Sequence, residues 1–456
     1  MSFPRYQDYK PSGVEWLGEV PAHWNVTRIK HVVRSLEQGW SPQCEGFPVE
    51  SDHEWGVLKV GCVNGGVFNA AENKALPAEM EPIPELGIRL GDLLISRANT
   101  RELVGSAAVA RRDYANLLLC DKLYRLRVEE AACVPEFLGY YLGTGISRGA
   151  IEVAATGASS SMVNIGQSTI LEMSAPVPTV PDQRQIVEFL DRETNKIDAL
   201  VAEQEKLIAL LAEKRQATIS HAVTRGLNPN APMKVSGVDW LGEVPAHWSL
   251  PPLYLRYEAA LGKMLDTSRI TGQHLVPYLR NVDVQWDAIN VADLPQMDIE
   301  SSELTRYTVR EGDLLVCEGG EVGRAAVVVD AGGTLGYQKA LHRLRALTAD
   351  EVPRFMYYTL RFASKVGAFS GEGQSTIAHL TGEQLRKYRF PKPPIEEQCQ
   401  IVTFLDTETT KLDALDIEAE RAIRLLKARR AALIAAAVTG QIDVRTHSQE
   451  PATETA

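Results

Sequence analysis

Few residues of this 456-residue chain stand in spacings that could carry catalysis. Glu72-Asn73-Lys74 has the Glu-x-Lys order that ends one nuclease signature, but a three-residue match is common by chance. Gly262-Lys263 offers the glycine–lysine pair of a phosphate-binding loop. Met264 stands where that loop needs Ser or Thr, and its earlier glycine is missing. Asn228-Pro229-Asn230 breaks the NPPY-type tetrapeptide, and no strand-GxGxxG-helix, HExxH or GxSxG pattern occurs. His23 and His247 sit beside Trp24 and Trp248, which suits packing or hydrogen bonding better than metal ligation. Cys44, Cys62, Cys120, Cys133, Cys317 and Cys399 lie far apart without a CxxC pair, as expected of reduced thiols. The chain is therefore expected to be non-catalytic and to hold no metal or cofactor of its own.

Its organisation is a repeat. SGVEWLGEVPAHW at Ser12–Trp24 returns as SGVDWLGEVPAHW at Ser236–Trp248, an offset of 224. GDLLIS at Gly91–Ser96 returns as GDLLVC at Gly312–Cys317 (offset 221), and LYRLR at Leu123–Arg127 as LHRLR at Leu341–Arg345 (218). QIVEFLD at Gln185–Asp191 returns as QIVTFLD at Gln400–Asp406 (215). The order never changes, and each drop of three marks a small deletion, so one unit of about 220 residues is duplicated in tandem.

Each unit opens with short apolar runs that read as strands, among them Gly56–Val60, Asp92–Ile95 and Ala107–Ala110, between Gly, Asn and Pro clusters. Glu136–Leu142 and Arg354–Leu360 read as helices. This is an α+β domain. It ends at the proline runs Pro176–Pro181 and Pro391–Pro394, after which no Pro or Gly interrupts Asp182–Arg225 or Glu396–Thr439. Apolar residues there step by fours and threes: Ile186, Leu190, Ile197, Leu200, Leu207 and Leu211, then Ile401, Leu405, Leu412, Leu415, Ala419, Ala422, Leu426 and Leu433. That spacing predicts two coiled-coil rods, each roughly 60 Å long and each needing a partner for its apolar stripe. The rods are expected to pair antiparallel, with Gly226–Val235 turning the chain back. The expected divisions are 1–180 for the first α+β domain, 181–225 for the first rod, 226–394 for the second domain, 395–440 for the second rod and 441–456 for a tail. Duplication makes the whole a pseudo-two-fold object. Segments alike in both halves should build the frame or dock identical partners, and segments that differ should recognise different things.

The doubled SGVEWLGEVPAHW box, the GDLL strand, the prolines before DQRQIVEFLD and EEQCQIVTFLD, and the two rods together resemble the specificity subunit of type I restriction–modification systems. The resemblance covers residues 10–440 and is specific as an ordered set. It implies two target recognition domains, each reading one half of a bipartite sequence in double-stranded DNA, with the helix pair as spacer. It also implies two methyltransferase subunits docked on this chain, joined by restriction–translocation subunits. S-adenosylmethionine, ATP and Mg would then be used by those partners. A coiled-coil protein-binding scaffold, or a self-sufficient restriction–methylation enzyme, is the alternative.

Base edges are read by side chains with paired donors and acceptors, Arg toward guanine and Asn or Gln toward adenine. The loop after GDLLIS, with Arg97, Asn99, Thr100 and Arg101, differs in length and chemistry from its counterpart, which starts at Glu318 and runs toward Arg324. Lys59–Asn69 aligns with Arg280–Asn290, so that Lys59 matches Arg280 and Asn64 matches Gln285, with Asn281 beside them. These eleven residues are the candidate DNA-binding set.

A net charge of −11, from 48 basic and 59 acidic side chains, first argues against a nucleic-acid partner. By region the objection weakens, since residues 1–180 carry −5 and residues 226–393 only −1. No basic arm exists, so the chain alone should bind DNA weakly and rely on its partners for phosphate contacts. No apolar run approaches the ~18 residues of a membrane span, and the opening MSFPRYQDYK lacks a signal-peptide pattern. A cytoplasmic protein is expected.

Overall fold

A computed structural model describes residues 3–159, 162–265, 271–369 and 380–445. Residues divide into two compact units, Met1–Gln204 with Arg421–Ala456, and Glu205–Glu420. Each contains one α+β domain and complementary halves of two long helices, Val180–Arg225 and Ile395–Val438.

The two domains share one topology. In the first, an antiparallel sheet runs in the order Ala107–Val109, Leu93–Ser96, Leu123–Val128, Val33–Gln38. In the second the same order reads Ala325–Val327, Leu314–Cys317, Leu341–Ala346, Tyr257–Leu261. A further mixed sheet follows in each, with a parallel pair at Gly56–Leu58 and Tyr114–Leu118, matched by Leu275–Leu279 and Leu335–Tyr337. The predicted strand Gly56–Val60 stops at Leu58, because Lys59 begins a 3-10 turn over Val60–Gly66.

The GDLL strand is continuously apolar because it is buried on both faces, and a strand presents alternate residues to opposite faces. Leu93 and Ile95 join the core that holds Trp24 and the long helices, whereas Leu94 points into the core of the mixed sheet. Leu314 and Val316 against Leu315 repeat the division. Just before the strand, Asp92 and Asp313 are each 1% exposed. Each accepts from a backbone N–H three residues back and from the last arginine of the RLR motif, Arg127 at 2.7 Å and Arg345 at 2.7–2.8 Å.

Both ends of each long helix are seated. At the start, Gln183 accepts from Val134 N–H (2.7 Å) and donates to the carbonyls of Ala132 and Pro178, both at 2.9 Å. Gln398 does the same for Val352 N–H and the carbonyls of Asp350 and Pro393 at 3.0–3.1 Å. Both glutamines are wholly buried. About two helical turns on, the acids of QIVEFLD and QIVTFLD anchor the domain. Asp191 takes Tyr140 and a bidentate Arg111, and Asp406 takes Tyr358 and Arg354. Tyrosine and aspartate are equivalent in the repeat, but the arginine arrives from different elements.

At the far ends, Gly226 and Gly440 have φ of 70° and 75°, and both lie against the buried tryptophan of a box. A Cβ on Gly440 would stand 2.3 Å from Pro21 Cδ and 3.1 Å from the Trp24 ring; one on Gly226 would stand 3.2 Å from the Trp248 ring. Trp24 and Trp248 are fully buried, but the other box tryptophans differ: Trp16 is 51% exposed, whereas Trp240 packs on the core against Phe362 and Phe390. His23 and His247 reach the acids that open the helices, Asp182 at 3.6 Å and Glu397 at 2.8 Å.

The helices run antiparallel within each unit. In the first, Asp198 pairs with Arg430 at 2.9 Å, and Ile186 and Leu190 share a core with Ala437 and Val438. In the second, Arg215 pairs with Asp413 and Asp416, and Gly226 lies beside Glu397. The seam differs from its sequence reading. Leu200, Leu207 and Leu415 are exposed, by 51%, 38% and 51%. The inward positions are Ile197, Val201, Gln204, Ile208, Leu211, Arg215 and Thr218, with Asp416 in place of Leu415. Polar residues fill part of the seam, which is why a search for apolar residues alone slips one position onto the neighbouring leucines. The expected tail also begins later. Gln441–Arg445 is part of the first unit, with Val444 buried, Asp443 N–H on the Pro4 carbonyl (2.8 Å) and Tyr9 OH on the Gly440 carbonyl (2.9 Å). Residues 446–456 lie outside the described residues.

Replacing Gln183 or Gln398 by Ala leaves a buried N–H and buried carbonyls unpaired, at a cost of about 1–3 kcal/mol each. Urea unfolding should show a clearly lowered midpoint for both variants, and an unchanged midpoint would show that water replaces the side chain without loss.

Candidate nucleic-acid interface

The candidate loops leave the GDLL strand on a common frame. Arg97 N–H donates to the Lys122 carbonyl (2.8 Å), and the Arg97 carbonyl accepts from Ile165 N–H (3.0 Å). Glu318 N–H donates to the Ala340 carbonyl (3.0 Å), and its carbonyl accepts from Leu380 N–H (2.8 Å). The loops rejoin the frame at Gly105 and Gly323, with φ of 76° and 84°, whose N–H groups bond back to the Ser96 and Cys317 carbonyls. A Cβ on either glycine would strike a side chain, Ile151 at 2.6 Å or Phe369 at 2.4 Å. Between these fixed ends the first domain has Arg97–Val104 and the second Glu318–Val322, three residues fewer. The drop in repeat offset from 221 to 218 lies in this loop.

Beneath each loop a side chain of the RLR strand props the opposite edge. Tyr124 OH donates to the Ile165 carbonyl at 3.0 Å, and at the equivalent position His342 Nε2 lies 2.8 Å from the Leu380 carbonyl. Sequence reading passed over this strut, although Tyr124 and His342 occupy the second position of the repeated LYRLR and LHRLR strings.

In the first domain the structure gathers several candidates. Asn99 Nδ2 lies 3.4 Å from Asn64 Oδ1, and Asn99 Oδ1 accepts from Thr100 N–H at 2.9 Å. Ala98–Asn99 pairs as a short strand with Val163 and Asn164. Among the described residues Arg97 and Arg101 have only long hydrogen bonds to carbonyls, of Asp121 and Glu152, both at 3.4 Å. Asn64 and Arg101 are exposed, while Arg97, Asn99 and Thr100 are half-buried. Lys59 lies apart from them as the cap of the 3-10 turn, 3.7 Å from Glu72.

In the second domain most candidates are engaged internally. Arg280 forks onto Asp283 with two bonds of 2.8 Å and holds that carboxyl below the usual range. Asn281 donates to the Gly319 carbonyl (3.1 Å) and accepts from Arg324 (2.9 Å), which also reaches the Asn281 carbonyl (3.0 Å). Asn281 and Arg324 thus build the loop. Gln285 is exposed but bonds back to the Val282 carbonyl at 2.8 Å. Glu318 is half-buried, and its carboxylate makes no hydrogen bond or ion pair with any described residue.

The geometry is that of a recognition module: duplicate scaffolds present unlike polar loops from equivalent anchor points. Among the described residues no group of three or more His, Cys, Asp or Glu could hold a metal, and no helix is long and apolar enough to cross a membrane. Residues 262–424 match the family model of the type I restriction modification DNA specificity domain. The type I restriction enzyme EcoEI specificity subunit of Escherichia coli is 29% identical over 168 residues, which are 37% of this chain and 28% of that one. The putative MjaX specificity subunit of Methanocaldococcus jannaschii is 21% identical over 98% of this chain and 99% of its own. Among solved structures, the HsdS subunit of Thermoanaerobacter tengcongensis has the same fold, with a TM-score of 0.54 at 17% identity, covering 92% of this chain and 98% of that one. A chain solved in work on complex assembly and conformational transition of the type I R-M system gives a TM-score of 0.69 at 16% identity, with the same coverages. Residues 262–424 thus match a type I restriction modification DNA specificity domain, and over nearly its whole length the chain is similar to specificity subunits of type I restriction enzymes.

Burial lowers the pKa of His342 below 6.5, since a charged imidazole there would lose its hydration. The neutral ring's contribution to stability is complete above 6.5 and is lost as pH falls through the lower folded value. Thermal unfolding between pH 7.5 and 5.5 should therefore show an acid-dependent loss that His342→Tyr, which copies Tyr124, reduces. An identical pH dependence in the variant would exclude His342 as its source.

Proposed function

We propose that this chain is the non-catalytic DNA-reading subunit of a type I modification and restriction complex, each α+β domain reading one half of a bipartite double-stranded target. The observation that carries this is the pair of unlike loops on one repeated frame. Two different half-sites require that arrangement, whereas a symmetric protein scaffold does not. The long helices set the spacing between half-sites and dock two methyltransferase subunits. Leu200 and Leu425, and Leu207, Leu210, Leu415 and Ile417, remain exposed on them and suit apolar packing by partner helices. Restriction–translocation subunits join that assembly, and the partners use S-adenosylmethionine, ATP and Mg in the cytoplasm.

The acidity of the chain has a physical place in this reading. Duplex binding draws its affinity from phosphate neutralisation, and with no basic arm here the partner subunits supply most of those contacts. In an electrophoretic assay at moderate salt, the isolated chain should bind a target duplex weakly, and the complex with methyltransferase tightly. Tight, specific binding by the chain alone would contradict this division.

Mapping modified adenines in cells that carry this gene and its neighbours should return a two-part asymmetric sequence with a fixed gap. Arg97→Ala or Asn99→Ala should relax one half-site and leave the other intact, with roughly 1–3 kcal/mol of discrimination lost at the affected base. Equal relaxation of both halves, or of neither, would remove these residues from the reading set.

A further inference from the structure

We propose that Arg97 and Glu318 select unlike bases at corresponding positions of the two half-sites, Arg97 taking the acceptor edge of a guanine and Glu318 the exocyclic amino group of a cytosine. The proposal rests on the DNA-reading function above. Both residues hold the same place in the repeat, fixed on both sides by the backbone bonds to Lys122 and Ile165 or to Ala340 and Leu380. Side chains of opposite charge therefore leave equivalent points of one frame.

Their surroundings leave both available. Among the described residues the Arg97 guanidinium has one hydrogen bond, at 3.4 Å, which leaves most of its donors without a partner there. Glu321, in the same loop as Glu318, is occupied by Trp286 Nε1 at 2.6 Å and faces Arg324 at 3.9 Å. Among the described residues the Glu318 carboxylate has no ion-pair partner; its charge acts on His342, a ring that burial disfavours as a cation. Near a phosphate backbone an unpaired carboxylate is repelled, and the favourable partners a duplex offers are amino groups on base edges. Adenine presents its N7 acceptor beside N6 in the major groove, which opposes the second carboxylate oxygen. Cytosine presents N4–H₂ without an acceptor of its own there, so it is the better match.

The test maps modified bases in cells carrying the full chain with its partner subunits. Wild type should specify a G·C pair in each half-site, and the variants tell whether its guanine or its cytosine is the base read. Glu318→Gln, whose amide suits adenine, should lower discrimination for that cytosine by roughly ten- to hundredfold and admit adenine there, leaving the other half-site unchanged. Arg97→Gln should do the same at the guanine alone. A bipartite wild-type target with no specified G·C pair in one of its half-sites, an unchanged map for Glu318→Gln, or relaxation of both half-sites would overturn this pairing while leaving the DNA-reading function standing. A wild-type map without any two-part sequence would instead remove the function on which it rests.

Discussion

The structure depends on the buried glutamine at the start of each long helix. Gln183 and Gln398 each satisfy one N–H and two carbonyls of chain segments some 50 residues upstream and 5 residues upstream, with no solvent to substitute. A primary amide is the smallest side chain with both donors and acceptor for such a site. It ties the helix axis to the domain body, and Asp191 or Asp406 with its tyrosine and arginine fixes the rotation about that axis. A loop that reads DNA is useful only if its direction relative to the helix is fixed, so this seat carries any geometric specification of the target.

Identical duties are built by identical residues, and unlike duties are confined to short stretches. The glutamines and the aspartates of GDLL recur in both units with equivalent hydrogen bonds, and the helix-ending glycines lie against a buried box tryptophan in each. Some core solutions differ without changing the fold. A buried ion pair, Arg256 with Glu351 at 2.6–2.8 Å, occupies the second domain where the first has Val32 and Cys133. Equivalence there is seen in the backbone, where Arg256 and Val32 carbonyls accept from Leu347 and Glu129 N–H. Apolar packing and a well-bonded ion pair are energetically close, so both persist.

Much of the architecture was legible because the chain states it twice. Repeat offsets located the domains, the helices and even the loop in which three residues are missing. The helix seam was legible only in part. Arg215 and Asp416 face inward because they pair across the seam, and no apolar pattern reveals that. Among the candidate residues, side-chain type alone could not separate Arg280, Asn281 and Arg324, which brace their own loop, from Arg97 and Arg101, which do not.

By itself the sequence determined the duplication, the α+β class, the two uninterrupted helices and the places where the halves diverge. All of these follow from local patterns that survive without knowledge of neighbours. Tertiary structure decided which half of each helix belongs to which unit, that Gln441–Arg445 closes the first unit, and which polar side chains remain free. Those depend on partners far apart in the chain. Hydrogen bonding at a few ångströms, rather than residue type, settles whether an arginine builds a loop or offers its donors to something else.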